Sequence, residues 1–277
     1  MIHFILKQAI EYSHSVFRGK TTNISYFNVE FQSEDRKNRY SRENILQREQ
    51  ELMELQNKLY KFGKPEEKYD CIMKEKELKK SLVGNCNELS ITALMYLARN
   101  RAKDIYYLYK DSFTTDTSGE IQPIYIEVIS PIPISRYNHC FIMFYYPPHA
   151  SDYQSQNKEI NQLYKTYNKL PSEAWICDPW ANIVCLSQNY NANWQNKMIS
   201  WAIDGKYLAL GNTPLSSVYK NQSQYLLWEL QGNPGYPLYE NTFNMMRNTA
   251  MQVNHQAIIK PDGSVVINHA IFEYANQ

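Results

Sequence analysis

The chain has 277 residues and a formal net charge of +1, so bulk electrostatics will not drive it onto nucleic acid or an anionic membrane surface. Hydrophobic content of 43% and aromatic content of 14% exclude general disorder and leave enough apolar surface for one large domain or two modest ones. Five cysteines, an odd number with no framework spacing and no C-x-x-C pair, argue against both a disulfide scaffold and a structural zinc and predict reduced thiols.

Met1 to Phe17 carries Ile2, Phe4, Ile5, Leu6, Ala9 and Ile10, but Glu11 and His14 interrupt it. The run is too short and broken for a secretory signal, and cytoplasmic synthesis is expected. Nor does any apolar run approach the roughly 18 residues of a membrane helix, so no membrane insertion is expected. The longest run, Cys140 to Tyr146, has strand length.

Residues 30 to 80 form a charged block. Within it, Ile45, Leu52, Leu55 and Leu59 at helical spacing predict a helix over Ser41 to Phe62. Ser41 suits the N-cap and Glu43 the first turn, although Asn44 stands where a full capping box needs Glu or Gln. Gly63-Lys64-Pro65 is a stop signal. A surface helix packed by one stripe is the plain reading; a partner-binding helix or a lid is the functional one. Tyr69 to Lys80 suits a second short helix carrying Cys71.

After Asn85, Leu89, Ala93, Leu94, Leu97 and Ala98 give a buried helical face ending near Arg99-Asn100-Arg101. Strands are predicted at Ile105 to Tyr109, Tyr125 to Ile129 and His139 to Tyr146, with Asp111 to Glu120 as a polar turn and Pro131 and Pro133 as breakers. Pro147 to Asn168 reads as a long polar connection, followed by short strands at Trp175 to Asp178 and Ile183 to Leu186. A helix followed by several strands is an α+β pattern. Signals weaken beyond Gln188. Asn189 to Met198 is rich in Asn and Gln, Gly232 to Tyr239 is a Pro/Gly turn region, and Glu240 to Val253 has helical character. Ala257 to Lys260 and Ser264 to His269 flank a hairpin turn at Pro261-Asp262-Gly263. The division expected is a helical N-terminal region over 1–80 and a catalytic domain over 81–277.

Three segments carry candidate chemistry. In Gly84-Asn85-Cys86, the cysteine opens an apolar helix, where unpaired N–H groups and the macrodipole favour thiolate. Gly84 would allow a sharp turn, Asn85 an N-cap, and the Cys86 N–H would face a developing oxyanion. Glu88 reads as a helix cap. A free cysteine is also among the most commonly buried residues and often only packs. His139 opens an apolar strand and can act as base; His269, in a similar Asn-His-apolar context, is its rival. Asp178, fixed at a strand end by Pro179, can hold one ring nitrogen of a histidine and leave the other for a thiol. Asn85 and Trp180 are candidate substrate contacts, although Trp180 equally suits a core. Cys177, Cys185, His139 and Cys140 lack the spacing of metal ligands, and there is no phosphate-cradling glycine loop, no H-E-x-x-H and no G-x-S-x-G. No cofactor and no metal are expected.

The ordered set of G-N-C at a helix start, N-H before an apolar strand and W-I-C-D-P-W afterwards resembles the transglutaminase-like and papain-like cysteine enzymes. The likeness covers roughly residues 81 to 186. It is greatest to the bacterial effector members, which deamidate or crosslink host glutamine residues or cleave host proteins. The resemblance implies a papain/transglutaminase-like core with the cysteine on a central helix packed on an antiparallel sheet. It also implies Cys86 as nucleophile, His139 as proton shuttle, Asp178 as orienter, and a protein substrate, a host protein in the effector case. Deamidase, transglutaminase and cysteine protease are all compatible with such a triad, and a catalytically silent protein-binding module is the alternative from another class. No Gln lies just before Cys86, where papain-like proteases carry their second oxyanion donor.

Overall fold

In the computed structural model the first apolar stretch folds as α1 (Ile2–Val16). Ile2, Ile5, Leu6, Ala9, Ile10, Ser13 and Val16 recur every three or four residues and are all buried, while Glu11 lies on the exposed face. The structure describes residues 1–19, 24–26, 29–79, 81–113, 121, 123–132, 139–145, 163–164, 170, 173–208 and 250–269. After a short strand β1 (Ile24–Tyr26) come α2 (Glu34–Arg39), α3 (Arg42–Leu59) and α4 (Pro65–Leu78). Ser41 caps α3, its hydroxyl accepting from the Asn44 N–H at 3.3 Å, and Ile45, Leu52, Leu55 and Leu59 are its buried stripe. Pro65 does more than stop the chain. It is the first residue of α4, where its missing N–H would have had no helical partner.

The next helix, α5 (Cys86–Tyr96), is buried continuously from Glu88 to Met95. A helix that is apolar all round must be covered all round, and α5 packs against α1, α4 and the sheet. Arg99-Asn100-Arg101 does not end it. A π turn, Leu97–Arg101, leads directly into α6 (Ala102–Tyr109), so the strand expected at Ile105 to Tyr109 is a helix. Ala102 and Ile105 are buried while Asp104 and Tyr107 are exposed, a period of three to four that a short apolar run did not disclose.

The sheet contains β2 (Ile124–Ile132), β3 (Phe141–Tyr145), β4 (Leu163–Tyr164), β5 (Trp175–Asp178), β6 (Ile183–Leu186), β8 (Ala250–Ile259) and β9 (Val265–His269). Among the described residues it has seven strands in the order β4-β8-β2-β3-β5-β6, with β9 also on β8, and every pairing is antiparallel. The fold is therefore α+β with an antiparallel sheet. Pro131 does not break β2 but lies within it, opposite Met251. Among the described residues the pairing of β2 with β3 ends at Ile129, while its pairing with β8 runs on through Pro131 to Ile132.

The Asn- and Gln-rich segment from 189 is helical, as part of α7 (Ser187–Ile203), which leads to β7 (Lys206–Leu208) paired with β1. One further expectation fails. Ala250 to Val253, expected to be helical, begins β8, where Met251 and Val253 are buried and alternate with more exposed neighbours; the rest of that segment, 240–249, lies outside the described residues. The hairpin is present. The Gly263 N–H bonds the Lys260 carbonyl at 2.8 Å, and Gly263 takes φ +80°, which a side chain would resist. Outside the described residues lie 114–120, Pro133, Tyr137, Asn138, the Gly232–Tyr239 turn and most of the Pro147–Asn168 connection, which contributes β4.

One sheet face, with Ile126, Val128, Ile142 and Phe144, packs on Leu6 and Ile10 of α1, Leu94 of α5 and Leu97 of the π turn. The other, with Phe141, Met143 and Ile176, packs on Tyr190, Trp194 and Met198 of α7. Each fully buried aliphatic side chain here contributes roughly 1.5–3 kcal/mol. Val16, Phe17, Leu55, Leu59 and Ile72 from the first 80 residues join the second cluster directly. Among the described residues no helix is long and apolar enough to cross a membrane.

Candidate functional site

Cys86 is the first residue of α5 and touches both apolar clusters, which places it at the end of the sheet where the two layers meet. It is partly exposed, whereas Cys140, Cys177 and Cys185 are buried. Asn85 precedes it in extended conformation as the N-cap, and the Asn85 N–H donates to Glu88 Oε2 at 2.9 Å. Glu88 Oε1 accepts from Gln56 of α3 at 3.1 Å, so the cap is tied to a neighbouring helix. Burial raises the Glu88 carboxyl above its ordinary range. Gly84 is needed for a different reason from the one its position proposes. It has no left-handed backbone, but a Cβ there would fall 2.6 Å from the Phe17 ring.

His139 lies just before β3 and is 1% exposed. Its Nε2 is 2.8 Å from Asp178 Oδ2. A carboxylate only accepts, so that nitrogen carries the proton and Nδ1 is left to accept from a thiol. Burial alone would lower the imidazole, but the Asp178 charge and hydrogen bond, aided by the Cys86 sulfur, push it up to about 10. The Cys86 thiol moves the other way, well below its ordinary value. The hydrogen bond from the Cys140 thiol is the largest cause. Burial opposes it, and the His139 hydrogen bond and charge and the Cys140 N–H add to it. The arrangement therefore favours thiolate and imidazolium at neutral pH.

Asp178 ends β5 and is fully buried. Its Oδ2 also accepts from the Tyr190 hydroxyl at 2.7 Å, and its Oδ1 from the Ala181 N–H at 2.9 Å. One carboxylate thus orients the histidine and folds the β5–β6 turn, in which Asn182 takes φ 57°. His14 of α1 donates from Nε2 to the Pro179 carbonyl at 2.6 Å and ties the same turn to the first helix. Trp180 is 6% exposed, with its ring centroid 5.2 Å from that of His139. Trp194 sits 5.1 Å from the imidazole and Phe141 5.9 Å from it, so His139 is walled by aromatic rings. Such walls exclude water and strengthen the interactions inside them.

The structure thus brings Cys86, His139 and Asp178 together, with Asn85 at the helix start and Trp180 over the histidine. His269 is elsewhere, opposite His255 in the β8–β9 pair and beside Gly63. Cys177 donates to the Leu6 carbonyl at 3.5 Å on the far side of the sheet. Among the described residues no group of three or more His, Cys, Asp or Glu side chains could hold a metal. Sequence reasoning missed Tyr190 and Trp194. A usable signal was present, since Tyr190, Trp194, Met198 and Trp201 repeat at helical spacing through an otherwise polar segment. No family model, no curated protein and no solved structure matches the chain.

Proposed function

We propose that this protein is a cysteine-nucleophile enzyme of the transglutaminase-like and papain-like type, acting on protein amides through an acyl-thioester, as a glutamine deamidase or transglutaminase. One observation carries the reading: a buried imidazole bonded through Nε2 to Asp178 and held charged with the help of a partly exposed cysteine at a helix N-terminus. Structural cysteines have no need of that sequence of contacts.

In this reaction the Cys86 thiolate adds to the glutamine side-chain carbonyl. The Cys86 N–H, at the positive end of α5, supports the oxyanion. The tetrahedral adduct collapses, the C–N bond breaks, and the His139 imidazolium gives its proton to the departing ammonia. Neutral His139 then takes a proton from water or a lysine amine as it attacks the thioester. The thiolate leaves, and glutamate or an isopeptide bond results. Asp178 holds the ring in the required tautomer throughout.

The test is proteome-wide mass spectrometry of a eukaryotic lysate incubated with the wild type, Cys86→Ala, His139→Ala or His269→Ala. Deamidation raises glutamine peptides by about one mass unit and transamidation joins chains, and both should require Cys86 and His139 but not His269. New peptide termini in place of these would make the enzyme a protease. Identical peptide sets from wild type and Cys86→Ala would leave a protein-binding module.

A further inference from the structure

A second thiol stands beside the candidate nucleophile, and amide chemistry requires no redox role of it. Cys140 follows His139 in the chain, but the two side chains go to different layers. His139 lies among the rings of Trp180 and Trp194, while Cys140 packs with Ile142, Phe144 and Leu94. Cys140 is pinned there. The Ser90 hydroxyl donates to its carbonyl at 3.3 Å, and its own Sγ lies 3.9 Å from Ser90 Oγ. Ser90 is one helical turn beyond Cys86 on the same face of α5, so these contacts hold Cys140 against the first turn of that helix. Cys86 itself packs against the apolar cluster that contains Cys140, and the Cys140 thiol is the largest influence lowering the Cys86 thiol. The pair is asymmetric: Cys86 is partly exposed and Cys140 is 3% exposed.

We propose that Cys86 and Cys140 are a reversible oxidative modification site, in which a hydroperoxide oxidises Cys86 and Cys140 captures the product as a Cys86–Cys140 disulfide. In the first step the Cys86 sulfur attacks a peroxide oxygen, the O–O bond breaks, and the departing hydroxide takes the His139 proton to leave as water. Cys86 is then a sulfenic acid. In the second step the Cys140 sulfur attacks the Cys86 sulfur, the S–O bond breaks, and the hydroxide leaves as water with the Cys140 thiol proton. Two thiols lose two electrons and one hydroperoxide gains them. Both thiols pack in one cluster beside Ser90, so the second step is intramolecular and competes with further oxidation to sulfinic acid. A dithiol reductant reverses it. The site requires a reactive Cys86 but no amide substrate, so it goes beyond the proposed reaction and is tested apart from it.

The test treats the reduced full-length protein with one equivalent of hydrogen peroxide, alkylates the remaining thiols and maps all five cysteines by mass spectrometry. Two thiols should disappear together, a Cys86–Cys140 linked peptide should appear, and dithiothreitol should restore both. In Cys140→Ser, Cys86 should still alkylate with iodoacetamide but should pass under peroxide to sulfinic acid that dithiothreitol does not recover. If that variant misfolds by circular dichroism, the linked peptide in the wild type decides. Cys86 alkylating quickly but never linking to Cys140 overturns the modification site and leaves the nucleophile reading intact. Failure of Cys86 to react with either iodoacetamide or peroxide overturns both.

Discussion

Asp178→Asn is the substitution whose outcome the geometry defines most closely. The two carboxylate oxygens have different partners. Oδ1 accepts from the Ala181 backbone N–H, which cannot turn away, and Oδ2 accepts from His139 Nε2 and the Tyr190 hydroxyl. An asparagine amide must keep its oxygen toward Ala181, which points its NH2 at His139. The Tyr190 hydroxyl can rotate and accept, but the imidazole can accept only by moving its proton to Nδ1, the nitrogen otherwise left to accept from a thiol. The ring then cannot take the thiol proton. With the anion gone, the largest influence raising the imidazole is lost, and its value falls from about 10 toward its ordinary 6.5. A fall of ~3 units is about 4 kcal/mol of lost imidazolium stabilisation. Cys86 should revert to a mostly protonated thiol, with only a few per cent thiolate at pH 7. The assay is the iodoacetamide alkylation rate of Cys86 from pH 5.5 to 9, read by mass spectrometry. The wild-type rate should be nearly flat across neutrality. The variant should be slower by ~30-fold or more at pH 7 and gain about tenfold per pH unit. A variant alkylated at the wild-type rate at pH 6 would falsify the tautomer reasoning and the role assigned to Asp178.

Two other consequences concern stability. Glu127 on β2 is 2% exposed, bonded by Tyr145 at 3.1 Å and Gln256 at 2.5 Å, and burial raises its carboxyl from 4.5 to about 7. The native state therefore keeps a proton that the unfolded chain has already lost, so this residue's contribution falls as pH rises from 4.5 to 7 and is level above. Over that window the loss is about 3 kcal/mol. Glu127→Gln should be near wild type in urea unfolding at pH 4.5 and more stable at pH 8, and parallel pH dependence of the two proteins would refute the assignment. Tyr190→Phe removes one donor from the buried Asp178 carboxylate while leaving the ring in place. It should cost about 2 kcal/mol in urea unfolding, with the Cys86 alkylation rate at pH 7 kept within a few-fold, and an unchanged unfolding midpoint would show that Tyr190 is dispensable to the site.

Local chemistry made some features legible in the chain alone. Ser41 before a spaced apolar stripe, Gly84-Asn85-Cys86 at a helix start, Trp175 to Asp178 as a strand and the Pro261-Asp262-Gly263 turn each rest on contacts between near neighbours in sequence. Their stereochemistry hardly depends on the rest of the fold. Ile105 to Tyr109 and Ala250 to Val253 were misread because a short apolar run fits either period, and the neighbouring layers decide which face is buried. Pro131 was misread because only the strand pairing discloses that β8 carries β2 on through that residue. Candidate residues could be named one at a time from the sequence, with His139 and His269 in near-identical settings. Choosing between the histidines required strand order, which carries His139 to the start of α5 and pairs His269 with His255 instead. Tertiary structure alone decided the side-chain partners of Asp178, the aromatic wall and the packing of Cys86 beside Cys140, because side chains 12, 39 or more positions apart meet only after the chain has collapsed around α5.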